Sequence, residues 1–174
     1  MKKILLVMLL LSFFAAGMGR KPATETAVPV KENKAAEANS TQAAPDFKLK
    51  DINGKEVALK DYKNKKTVLL VFWATWCVYC RQEIPEVIKL KEQYKGKDLE
   101  ILGINIQEPA QTVKAFAEKT GINYNILLDI QGEAARSFEV QGIPMNVLID
   151  KKGNIIYGGS FGKEVKELIS RNVK

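Results

Sequence analysis

The stretch Thr67-Val68-Leu69-Leu70-Val71-Phe72-Trp73-Ala74-Thr75-Trp76-Cys77-Val78-Tyr79-Cys80-Arg81-Gln82-Glu83-Ile84 decides the fold. Its first seven residues form an almost unbroken β-prone run, the composition of a central strand covered on both faces. From Val78 to Tyr94 the pattern is helical, with Ile84, Val87, Ile88 and Leu90 spaced for one apolar face. A buried strand therefore feeds a helix directly, and the chain's only two cysteines, Cys77 and Cys80, stand at the junction.

That junction suits a reactive thiol. The unsatisfied N-H groups and dipole at a helix start favour negative charge, so a sulfur there can be held as thiolate near neutral pH. Two intervening residues let the second sulfur curl back one turn and close a disulfide. Cys77 is expected to be exposed and nucleophilic, and Cys80 to be covered. A static structural disulfide is the alternative, but so small a loop removes little chain entropy and would stabilise the domain only weakly. Zinc needs further ligands and the sequence has no His, while haem attachment fails because Arg81 follows Cys80. The expected chemistry is redox, with no metal and no cofactor beyond the Cys77-Cys80 pair.

Working outward, Phe47 to Lys50 and Glu56 to Leu59 flank Asn53-Gly54 as a β-hairpin. Leu99 to Ile106 is a second buried strand, Ala110 to Lys119 an amphipathic helix ended by Gly121, Tyr124 to Leu128 a short strand and Glu133 to Phe138 a brief helix. Met145 to Ile149 and Ile155 to Tyr157 flank a turn, and Lys163 to Asn172 closes the chain as a helix. Strands alternating with helices imply an α/β sandwich. Pro85, inside the helical pattern, is expected to kink it.

Ahead of this domain, residues 1–19 join a cationic start, Lys2-Lys3, to the apolar run Ile4 to Ala16, which is shorter than the roughly 20 residues of a membrane span. The segment reads as a signal peptide, with an uncleaved N-terminal membrane anchor as the alternative, and places the domain in an extracytoplasmic or periplasmic setting. Residues 20–44, rich in Ala, Lys, Glu and Thr, read as a flexible linker, leaving residues 45–174 as one domain. The net charge of +7 falls to +4 over that domain, with cations interspersed among acids, so nucleic acid is not an expected partner.

Several landmarks together resemble the thioredoxin-like family, and within it the exported TlpA/ResA-type thiol-disulfide oxidoreductases. They are Ala44-Pro45-Asp46-Phe47 with its Asn-Gly hairpin, Phe72-Trp73-Ala74-Thr75-Trp76-Cys77, Cys80-Arg81-Gln82-Glu83-Ile84-Pro85, and Gly142-Ile143-Pro144 before Val147-Leu148-Ile149-Asp150. The resemblance implies a thioredoxin fold with an N-terminal β-hairpin and a helix-strand insertion over Ala110 to Leu128. It implies a cis Pro144 facing the disulfide, with the backbone of Ile143 open to an extended substrate peptide and Trp76 as a docking surface. It also implies disulfide-containing client proteins, apocytochrome c among them, and a membrane thiol-electron carrier as reductant.

Two positions depart from the pattern. Val71 stands where thioredoxin has a buried aspartate, which leaves Glu83, one helical turn beyond Cys80, as the candidate proton acceptor. A dipole-matched acid at the helix start is the alternative for Glu83. Met145-Asn146 follows the proline where the family commonly has threonine, which bears on substrate fit. Among rival functions, a peroxiredoxin-like peroxidase lacks its proline between Asn64 and Cys77, and a non-catalytic metal- or peptide-binding module of this fold that carries copper would use a His. Trp73, Phe116, Phe138 and Phe161 are expected in the core.

Overall fold

The computed structural model describes residues 42–174. The expected signal or anchor, and all but the last three residues of the expected linker, lie outside them. The described chain forms one eight-stranded sheet in the order β1 (Gln42–Ala43), β8 (Asn154–Gly159), β7 (Met145–Ile149), β4 (Thr67–Trp73), β5 (Leu99–Ile106), β6 (Asn125–Asp129), β2 (Lys48–Asp51) and β3 (Glu56–Ala58). Strands β4 (Thr67–Trp73) and β5 (Leu99–Ile106) occupy its centre and pair in parallel through the crossover helix α1 (Val78–Gln93). Strand β7 (Met145–Ile149) runs antiparallel against the other edge of β4, so the start of β7 lies beside the end of β4.

The strict alternation of β4 divides the core. Val68, Leu70 and Phe72 face a layer made with Phe47, Leu59 and Phe138, on the side of the short helix α3 (Glu133–Ser137). Leu69, Val71 and Trp73 face α1 together with helices α2 (Ala110–Thr120) and α4 (Lys163–Asn172). A strand covered on both faces has no polar side to show, which is why its sequence reads as a continuous apolar run.

The insertion takes the expected place. Helix α2 leads into β6 (Asn125–Asp129), which pairs in parallel with β5 and antiparallel with β2 (Lys48–Asp51), while β3 (Glu56–Ala58) completes the hairpin at the sheet edge. The hairpin ends one residue early because Leu59 begins a 3-10 turn, Leu59–Tyr62. One further expectation is corrected. Gln42–Ala43, placed by sequence in the linker, forms strand β1 against β8 (Asn154–Gly159), because backbone pairing at a sheet edge needs no apolar side chains. Pro85 lies inside α1, which spans Val78–Gln93.

Gly103 of β5 is required by packing. A Cβ there would stand 2.9 Å from the ring of Tyr124 and 3.1 Å from the indole nitrogen of Trp73.

Candidate active site

The carboxyl end of β4 delivers Cys77 to the N-cap of α1, and its Sγ accepts a hydrogen bond from the Cys80 backbone amide at 3.1 Å. One turn suffices to bring the second thiol back, and Cys77 and Cys80 are joined as a disulfide with their Cα atoms 5.2 Å apart. Sequence predicts an exposed Cys77, and this is corrected: Cys77 is only 5% exposed and Cys80 2%. The Cys77 sulfur turns inward toward the helix amides and lies 3.7 Å from the carbonyl of Ile143, leaving the rim to its neighbours. Trp76, Val78 and Tyr79 are more than half exposed and surround the disulfide with apolar surface, whereas Trp73 is buried against Phe116.

Antiparallel pairing of β4 with β7 sets the opposite wall. Phe72 lies beside Met145, so the loop ahead of β7 arrives next to Cys77, and its Ile143-Pro144 peptide is cis. Pro144 lines an open groove with Tyr79, Gln82, Glu83 and Phe161. Trp76, Cys77, Cys80, Glu83, Ile143 and Pro144 therefore gather at one end of the sheet.

The same register explains Asn146. It is the Cα partner of Val71 and shares its face, the one under α1. From there the Asn146 side-chain amide donates to Glu83 at 3.0 Å, and Asn146 is fully buried. The position that sequence assigns to substrate fit is thus committed to an internal hydrogen bond. Burial, the largest influence, raises the pKa of Glu83, while the bond from Asn146 and the backbone amide of Phe161 oppose the rise. Desolvation, and after it the charge of Glu83, pushes the buried Tyr124 hydroxyl far above the usual phenol range, so it stays protonated.

Sequence reasoning missed Glu108. It is buried just beyond β5, where its carboxylate accepts from the backbone amide of Thr75 at 2.7 Å, the Thr75 hydroxyl at 2.5 Å and the side-chain amide of Asn105 at 2.7 Å. Thr75 belongs to the turn that presents Trp76 and Cys77, so this carboxylate ties the turn to the neighbouring strand. The available signal was Asn105, a polar residue within the apolar stretch Ile101 to Ile106, with Glu108 following at that strand's end.

A model described as the AhpC/TSA family matches residues 41–158. The thiol-disulfide oxidoreductase ResA of Geobacillus kaustophilus is 39% identical over 145 residues, covering 82% of each chain. The thioredoxin-like protein YneN of Bacillus subtilis is 40% identical over 131 residues, covering 72% of this chain and 75% of its own. Among solved structures, the thioredoxin domain of a thiol-disulfide oxidoreductase from Bacteroides vulgatus has a TM-score of 0.69 at 26% identity, covering 78% of this chain and 98% of that one. A thiol:disulfide interchange protein from a Bacteroides species has a TM-score of 0.68 at 26% identity, covering 76% and 89%. The thioredoxin fold, the paired cysteines and the extent of these matches lead to one conclusion: the chain belongs to the AhpC/TSA family and is a ResA-type thiol-disulfide oxidoreductase.

Proposed function

We propose that the protein works as a reductase of disulfides in extracytoplasmic proteins, with Cys77 as the attacking thiol. The observation that carries this reading is the position of Cys77 at the N-cap of α1, beside the carbonyl of Ile143 and the exposed Trp76 and Tyr79. In the dithiol form the Cys77 thiolate attacks one sulfur of the client disulfide, and the other client sulfur leaves as a thiolate that takes up a proton. The Cys80 thiolate then attacks the Cys77 sulfur of the mixed disulfide. The client departs with both sulfurs reduced, its two electrons having come from the Cys77/Cys80 dithiol, which is left oxidised as the Cys77-Cys80 disulfide.

Glu83, one turn beyond Cys80 and kept partly from water, accepts or supplies the proton of Cys80 during the second step. Trp76, Ile143 and Pro144 bind the client, whose extended backbone pairs with that of Ile143. Regeneration needs a dithiol donor, for which a membrane thiol-electron carrier is the partner implied, and no cofactor beyond the cysteine pair is called for. Apocytochrome c is one client implied by the resemblance to the exported subfamily. Residues 1–19 act as export signal or anchor. No helix among the described residues is long and apolar enough to cross a membrane.

The direction of electron flow is tested by the reduction potential of the Cys77-Cys80 couple. Val78 and Tyr79 put no cation between the cysteines to favour the thiolate, as a strong oxidant would need. The expected potential lies nearer about −270 mV than about −120 mV, and a value close to the latter overturns the reductase reading.

A further inference from the structure

At the end of the sheet away from the disulfide the chain is built differently. Strand β4 begins at Thr67 and climbs about 20 Å to the Cys77 turn, so Lys65 and Lys66, immediately before it, mark the opposite pole. The β7–β8 turn, with Lys151 and Lys152, returns to the same pole because Val68 pairs with Ile149. The Asn64 amide donates to the Lys151 carbonyl at 2.6 Å, and the Ala44 amide donates to the Gly153 carbonyl at 2.9 Å. These bonds join the lysine-bearing loops and the entry strand β1 into one platform.

The platform contains a cleft of about 180 Å³ with an apolar floor that includes Leu59, Val68 and Ile149, and with Lys60, Lys63, Lys66 and Lys152 along its sides. Its two acids are turned to local amides: Asp46 accepts from the Lys60 backbone at 3.1 Å, and Asp150 from Asn154 at 2.8 Å. Lys66 pairs with Glu100 and Lys151 with Asp98. Among the described residues Lys60, Lys63, Lys65 and Lys152 have no carboxylate partner, and all four are exposed. Long lysine stems can lie across an apolar floor while their ammonium groups reach outward.

We propose that this pole is a docking face for an anionic phospholipid bilayer. Charge complementarity supplies the attraction, which acts within about a Debye length and grows with each lysine brought to the surface. The occupant is also indicated by the sequence ahead of the domain, where Lys2, Lys3 and the apolar run Ile4 to Ala16 form the segment read as export signal or anchor. Docking here turns the disulfide, Trp76 and Tyr79 away from the surface and leaves them open to clients. The inference rests on the charge and topology of the pole and goes beyond the redox reading.

The test is co-sedimentation of the full chain with phosphatidylcholine vesicles and with vesicles of mixed phosphatidylcholine and phosphatidylglycerol. The triple variant Lys60→Glu/Lys63→Glu/Lys152→Glu is compared with Lys48→Glu/Lys114→Glu/Lys163→Glu, which makes the same charge change away from the pole. The pole variant is expected to lose at least about tenfold of the affinity for the anionic vesicles, far more than the control, and to keep the disulfide-exchange rate of the parent in solution. Raising salt should remove the same component of binding. Lys60→Gln/Lys63→Gln/Lys152→Gln, a gentler set, should show an intermediate loss, so a poorly folded reversal variant does not decide the matter. Equal loss in pole and control variants overturns the proposal, as does a pole variant that keeps vesicle binding but loses binding to an RNA oligonucleotide.

Discussion

Asn146 of β7 donates to Glu83 of α1 at 3.0 Å, across 63 residues of sequence, beneath the helix that carries the cysteines. In this chain the carboxylate near the redox pair comes from the helix and is anchored from the strand next to Val71. Its proton affinity is therefore set by burial, by one strand residue and by the backbone amide of Phe161 together.

A carboxyl whose pKa is raised by folding binds its proton more tightly in the folded state. The stability it adds is full below the unfolded-state value of about 4.3 and is lost as pH rises through the raised folded value. Urea unfolding between about pH 4 and pH 8 should show the parent protein losing this increment. Glu83→Gln, which cannot ionise, should gain stability relative to the parent as pH rises. A stability difference that stays constant with pH would show that Glu83 does not couple to folding in this way.

Asn146→Ala removes a donor that lowers the Glu83 pKa, so the loss of stability, which still begins at the unfolded-state value, should extend to a higher pH before it is complete. The variant should also be less stable by about 1–3 kcal/mol at neutral pH, because Glu83 then loses a partner in a half-buried site. Thermal unfolding at several pH values checks both effects, and an unmoved pH profile would count against the pairing.

Thr75→Val deletes the hydroxyl that donates to the buried Glu108 and keeps the backbone bond. The expected cost is about 1–3 kcal/mol. The turn carrying Cys77 should loosen as well, giving a slower disulfide exchange. Exchange kinetics and chemical denaturation of the same variant separate the two consequences.

Cys80→Ala should accumulate a mixed disulfide between Cys77 and a client, since nothing remains to resolve it, whereas Cys77→Ala should trap none. Non-reducing gels after incubation with a disulfide-bonded protein give the answer. Trapping by the Cys77→Ala variant alone would reverse the roles of the two thiols.

Gly103→Ala pushes a methyl against Tyr124 and Trp73, both buried, and neither can swing into solvent. Overpacking of this kind costs about 1–3 kcal/mol. A lowered denaturation midpoint with an unchanged slope is the expected result.

Sequence alone determined most of the elements and the redox pair. The six apolar residues that follow Thr67 in β4 read as a two-sided buried strand, and Cys77 and Cys80 are neighbours whatever the rest of the chain does. The spacing of Ile84, Val87 and Leu90 set the helix face in the same local way, since periodicity depends only on neighbours along the chain. What the tertiary structure decided lies in residues brought together by strand register. Asn146 meets Glu83 because β7 pairs with β4 at Val71, and Glu108 reaches Thr75 because β5 ends beside β4. Gln42–Ala43 becomes a strand only because the edge of β8 has free backbone groups to accept it, and Cys77 is covered by the distant Ile143 loop as well as by its own motif. A hydrogen bond spanning tens of residues leaves no periodic trace in a single sequence, so these contacts became visible only when the sheet was closed.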